Sequence, residues 1–144
     1  MTTMRVVLDT NILVTASRSS LEASFALLQA LRNRYYRALV SVPLMLEYEV
    51  VLLRPEQISA SGRGVAQTQN FLDALCCLVD PVDLHYLWRP QLRNPADEMV
   101  LETALNGRAD VLVTMNISDF SAAADFRLPV MTPVQFLKKL NRRR

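Results

Sequence analysis

The chain has one histidine, two cysteines and three glycines among 144 residues. The lone imidazole, His85, cannot build a zinc site or a histidine-based triad with such neighbours, and several enzyme classes fall away at once. Cys76 and Cys77 are adjacent, a spacing that strains a disulfide and fits no recurring metal motif; they read as reduced core residues. With so little glycine there is no G-x-G-x-x-G or Walker-type loop, which disfavours a nucleotide-cofactor protein. No run approaches the ~18 consecutive apolar residues of a membrane span, and the N-terminus lacks a basic-then-apolar signal layout. A soluble, cytoplasmic protein without membrane contact is expected. Neither sign of charge dominates, since 16 basic residues face 14 acidic ones, so the overall polyanion field is weak.

What is present is a globular balance: 51% hydrophobic and 21% charged residues suffice for one core with both faces of a sheet covered. One domain over 1–144 is expected. "RVVL" reads as a doubly covered strand because apolar and β-branched residues fill it without alternation. "SSLEASFALLQALRNR" follows as an amphipathic helix, with Leu21, Phe25, Leu28 and Leu31 at helical spacing and Ser19 or Ser20 as N-cap. "ALVSV" is a second strand. Pro43 then opens the helix "LMLEYEVVLL", which Pro55 ends. "EQISASGRG" has loop composition, "VAQTQNFLDALC" is helical, "CLVD" is a third strand, and "LHYLWRPQLRNP" is irregular. "ADEMVLETALNG" is a helix closed by Gly107, "DVLVT" a buried strand, "RLPVM" an edge strand and "PVQFLKKLN" a last helix. Strands alternating with helices imply a three-layer α/β/α sandwich around a mostly parallel sheet.

In such a sheet, ligands collect outside the carboxyl ends of the strands. Asp9 ends the first strand, Glu47 lies about one turn into the helix after the second strand, Asp97 opens "ADEMVLETALNG", and Asp119 follows "DVLVT". Asp97 shares a helix face with Val100, Leu101 and Ala104, so it points at the sheet, whereas Glu98 and Glu102 line a more exposed side. Taken singly, Asp9 and Asp97 could each be a helix cap, Glu47 could pair with a distant arginine, and Asp119 could be a turn residue. Together at one edge they would repel one another, and a bound cation resolves the conflict. Oxygen donors alone suit Mg²⁺ or Mn²⁺.

"VVLDTNIL", "SVPLMLEYEVVL" and "DEMVLETALNGRADVLVTMNISDF" resemble the PIN-domain nucleases, especially the virulence-associated-protein C toxins, from Arg5 to about Pro133. The resemblance implies a metal-dependent ribonuclease, the toxin of a type II toxin–antitoxin pair, with Asp9, Glu47, Asp97 and Asp119 as the acids and Mg²⁺ or Mn²⁺ as cofactor. Thr10, Asn11, Thr114 and Asn116 match polar positions that orient the pocket. Asn116 stands where many relatives carry an aspartate, which puts a second metal in doubt and keeps open a PIN-like RNA- or protein-binding module without cleavage; the same chemistry would also support DNA cleavage. An antitoxin partner and a homodimer are further implications. Arg18 and Arg93 are candidates for holding RNA backbone, and Tyr35, Tyr36, Tyr48 and Trp88 for stacking on bases. The tail "LKKLNRRR" complements a helix dipole and permits RNA binding.

Overall fold

The computed structural model of the chain describes residues 3–86, 92 and 94–143. Arg93 and Trp88, and most of the irregular segment around them, lie outside the described residues.

Five strands form one parallel sheet in the order β3-β2-β1-β4-β5: β1 (Arg5–Leu8), β2 (Arg37–Val40), β3 (Val79–Pro81), β4 (Val111–Val113) and β5 (Val130–Met131). Val6, Val7, Ala38, Leu39, Leu112 and Val113 are buried, as uninterrupted apolar strands covered on both faces should be. Among the described residues, seven α-helices surround the sheet: α1 (Thr10–Arg18), α2 (Ala23–Arg32), α3 (Val42–Leu52), α4 (Pro55–Ser61), α5 (Val65–Cys76), α6 (Pro95–Asn106) and α7 (Pro133–Arg143). A 3-10 helix covers Ile117–Phe126. α1 packs on α2 and α2 on α7; α6 lies across β1, β2 and β4 beside the 3-10 helix; α3 touches both α1 and α6. Tyr36 locks part of this together, donating its hydroxyl to the Leu27 carbonyl and meeting the Phe136 ring edge-on at 5.3 Å.

Several local expectations are corrected. The pattern predicts one helix between β1 and β2, and there are two. α1 begins directly after Asp9, and α2 starts at Ala23 with Glu22 as its N-cap, so Leu21 falls before the helix and is 96% exposed. Pro55 does not merely end α3; it is the first residue of α4, where its missing N–H is no loss. The "EQISAS" segment is therefore helical. Cys76 and Cys77 are free thiols but exposed, because α5 buries Thr68, Leu72 and Leu75 and the cysteines lie past that stripe. Glu98 and Glu102 are buried, at 4% and 0% exposure: α6 is enclosed by sheet, α3 and 3-10 helix, and the Leu92 N–H donates to Glu98 at 2.6 Å.

Gly107 is not the left-handed residue at the end of α6, since its φ is −84°. Its requirement is space: a Cβ there would meet Val82 Cγ2 at 2.9 Å and both Leu39 Cδ1 and the Thr103 carbonyl at 3.0 Å. The left-handed residue is the next one, Arg108, and Arg34 and Arg127 share that conformation. Such a backbone costs a non-glycine residue about 1–2 kcal/mol. Complementing an exposed helix C-terminus returns only about 0.3–1 kcal/mol.

Candidate metal centre

Asp9 occupies the N-cap position of α1, yet its side chain makes no capping bond. Its N–H still belongs to the sheet, donating to the Val113 carbonyl at 2.9 Å, while its carbonyl accepts from Ile12 at 3.0 Å. With the backbone held on both sides, the carboxylate turns toward β4 and accepts the Thr114 hydroxyl at 2.8 Å. Asp9 is 7% exposed. Burial raises its pKa; bonds from the Thr114 hydroxyl and the Thr10 backbone oppose the rise, and the charges of Asp119 and Glu47 add to it.

Thr114, wholly buried after β4, is the hub. Besides donating to Asp9, its hydroxyl accepts from the Asn116 N–H at 3.2 Å and lies 3.5 Å from the Asn11 amide nitrogen. The Asn11 carbonyl oxygen accepts the Met115 N–H at 3.3 Å. The polar positions Asn11, Thr114 and Asn116 are thus one connected set, with Thr10 against the Asp9 carboxylate. Asn116 itself is exposed, and its side-chain oxygen accepts from Ser118 at 2.7 Å.

Asp97 lies in the first turn of α6, half-buried. Asn94 caps that helix, accepting the Ala96 N–H at 2.9 Å, so Asp97 is spared for another role. Its carboxyl is pushed up to about 6 by burial first and then by the charges of Asp9 and Asp119. Glu47 is half-buried on α3, and Asp119 is exposed in the first turn of the 3-10 helix. Four acids from four separate segments therefore act on one another across the carboxyl edge. Among the described residues, every charge that perturbs Asp9 or Asp97 is another carboxylate.

Three supporting residues escaped the sequence reading. Tyr48, expected among base-stacking candidates, is buried, donates to the Leu8 carbonyl directly before Asp9, and feels the Asp9 charge. Tyr36 is likewise core, and of the described tyrosines weighed for stacking only Tyr35 is exposed. Ser41 and Thr103 join α3 to α6 by a buried hydroxyl pair at 2.6 Å. Thr103 donates to the Met99 carbonyl and Ser41 accepts from Leu44, so Ser41 supplies the proton between them. An S-x-P start to α3 was the available signal for Ser41; Thr103 had none. Arg18 sits at the far end of α1, roughly 13 Å along the axis from Asp9, bound to buried Gln57 at 2.8 Å, and is no part of this edge. A mostly apolar groove of about 450 Å³ between α1, α2, α4 and α5, with Leu13, Phe25, Leu52 and Phe71 on its walls, has none of the four acids in its lining.

Among the described residues, no three acids, histidines or cysteines form a group that could hold a bare metal ion. The donor chemistry still fits a hard cation: Mg²⁺ keeps several of its waters and is commonly taken by one or two carboxylates, with further acids reached through water. Carboxylates that share a field without closing on one point suit that mode.

The sequence model of the PIN domain matches residues 5–118. Comparison with curated proteins finds no match. Among solved structures, VapBC2 from Rickettsia felis bound to a DNA fragment from their promoter aligns over 90% of this chain and 98% of its own, with 18% identity and a TM-score of 0.60. FitAB bound to an IR36 DNA fragment covers 89% and 94%, with 17% identity and 0.58. FitAcB from Neisseria gonorrhoeae covers 89% and 97%, with 19% identity and 0.50. At these identities the likeness is one of fold.

Proposed function

Because the chain belongs to the PIN-domain family, we propose that it is a metal-dependent nuclease that hydrolyses RNA phosphodiester bonds, the toxin of a toxin–antitoxin pair. The observation that carries this reading is the field at Asp9, from Asp119 and Glu47, and at Asp97, from Asp9 and Asp119, in which no cationic side chain of a described residue takes part. Carboxylates massed without a counter-charge are unfavourable unless a cation is to be held.

Asp9, Asp97 and Asp119 would hold Mg²⁺ or Mn²⁺, directly or through water. Once bound, that ion supplies Lewis-acid activation of water and neutralises charge on the phosphoryl oxygens. Thr114 fixes the Asp9 carboxylate, and the Thr10 N–H shares in this. Glu47 would orient the attacking water or accept its proton. Asn116 contributes a neutral oxygen where an acid would add charge, which favours one metal over two. No side-chain nucleophile is needed, consistent with a single, exposed histidine.

An antitoxin partner and a homodimer belong to the same proposal. They rest on the resemblance and on fold relatives solved as VapBC2 and FitAB on DNA. Val42, Leu46 and Val50 leave an apolar stripe exposed on α3 that a second copy would cover.

Incubation of the protein with end-labelled RNA and DNA, in Mn²⁺ or in EDTA, tests the chemistry. RNA should be cut in Mn²⁺ only, and Asp9→Asn should abolish the cuts. Cleavage that persists in EDTA, or in Asp9→Asn, contradicts the reading. RNA binding with no cleavage under any divalent ion would leave a PIN-like binding module instead.

A further inference from the structure

The amino edge of the sheet carries a row of arginines, and their backbone is unusual. Arg34, Arg108 and Arg127 have φ of 60°, 53° and 56°, and among the described residues they are all of the non-glycine residues with positive φ. Each stands three positions ahead of a strand, β2, β4 and β5 respectively. Since the strands run parallel, the three turns lie side by side at one edge. At the end of a helix this conformation ordinarily falls to glycine or asparagine. Arginine is the choice each time.

Dipole complementation does not explain that choice. It asks for a cation near the last turn: α2 already has one in Arg32 without strain, and where α6 and the 3-10 helix have none, the about 0.3–1 kcal/mol it returns is no more than the left-handed backbone costs. Internal pairing does not explain it either. Arg5 donates to the Gly107 carbonyl at 2.7 Å and Arg37 forks onto Asp80, with one bond of 2.9 Å. Arg34, Arg108 and Arg127 are exposed, and although their backbone N–H groups close the turns, their side chains make no hydrogen bond or ion pair with a described residue. The acids Asp80 and Asp110 at this edge are engaged, with Arg37 and with the Arg5 N–H; Asp125 is exposed.

The three turns span three strand spacings, roughly 14 Å. α7 returns from β5 to the same edge, where Lys139 and Arg143 face Met4 and Asp110 across one cleft. Lys138 and Arg142 extend the exposed positive charge. Tyr35, beside Arg34, presents an exposed ring of the kind on which a base stacks. A bilayer would ask for exposed aliphatic anchors, and none of the described residues in these turns supplies one.

We infer that the amino edge is a second nucleic-acid contact, in which the guanidiniums of Arg34, Arg108 and Arg127 take the phosphates of an RNA strand one sheet-length away from the carboxylates. Planar guanidinium forks suit phosphate oxygens, and strand spacing sets them in a row. The inference rests on the nuclease reading for the nature of the strand.

The test is binding of a fluorescein-labelled, 20-nucleotide single-stranded RNA, followed by anisotropy in EDTA across a NaCl series. The triple variant Arg34→Gly/Arg108→Gly/Arg127→Gly should bind about tenfold or more weakly. Its slope of log K against log salt should be shallower by about 2. Its melting temperature should hold or rise, because glycine relaxes all three turns. A triple Arg→Asn variant, whose side chain also tolerates this backbone, should show the same loss, and a triple Arg→Lys variant should keep most of the binding. Unchanged affinity and slope in both neutral variants overturns the inference, as does strip-dependent binding to phosphatidylserine vesicles with none to RNA. Working in EDTA separates the two readings: strip-dependent binding by a protein that never cleaves RNA would sink the nuclease and leave the strip.

Discussion

At the scale of single residues, Asp97 makes the acid cluster measurable. Its carboxyl titrates near 6 rather than at its ordinary 3.8, chiefly through burial and then through Asp9 and Asp119. Between those values the folded chain holds a proton that the unfolded chain has released. In metal-free protein, stability should therefore fall as pH rises from about 4 to about 6 and then level off. Asp97→Asn should flatten that part of the profile and raise the melting temperature at pH 7.5, but not at pH 4, in melts run with EDTA. A profile identical to wild type would mean that Asp97 stands apart from its neighbours. Thr114 is the second such residue. Thr114→Val keeps the volume but strips Asp9 of its hydroxyl donor, and on the order of 10–100-fold of metal affinity or activity should go with it, as for other residues that orient a ligand. Thr114→Ser should recover most of the loss. Full activity in the valine variant would show that Asp9 needs no such support.

At the scale of elements, Gly107 marks where α6 comes closest to the sheet. Gly107→Ala should destabilise the fold by about 1–3 kcal/mol in urea titration, because Val82, Leu39 and the Thr103 carbonyl enclose the missing methyl. An unchanged midpoint would mean that α6 can shift. β1, β2 and β4 were legible in the sequence because doubly buried strands write unbroken apolar runs. α1 was not: Asp9 is of a helix-capping residue type, but the polar run Asp9-Thr10-Asn11 suits a turn equally well, and in the fold Asp9 gives its carboxylate to Thr114 rather than to the helix. α4 was hidden by serine and glycine, which resemble a loop by composition, although Pro55 and Glu56 sit well in a first helical turn. Glu98 and Glu102 misled because helical periodicity assumes a solvent side, and α6 has almost none. That Asp9 and Asp119 follow strands and that Asp97 lies half-buried in the first turn of α6 could be read from the sequence; that the four acids hold one cation is our proposal. The Ser41–Thr103 link was not, because contacts across more than 60 residues leave no local trace.

At the scale of the whole molecule, the parallel sheet sorts charge. Carboxylates gather where strands end, and the arginines with left-handed backbone gather where strands begin. Helix dipoles favour this sorting, since helices in this topology end at the basic edge, where their negative poles stabilise cations, and start at the acidic edge, where their positive poles stabilise carboxylates. Net charge conceals this polarity. The central claim is that Asp9, Glu47, Asp97 and Asp119 form one divalent-cation site, and calorimetric titration with Mn²⁺ at pH 7.5 tests it most directly. Wild type should show saturable binding that weakens about tenfold or more in both Asp9→Asn and Asp97→Asn, two residues 88 positions apart in the chain. Mn²⁺ affinity that survives either substitution unchanged would contradict the account.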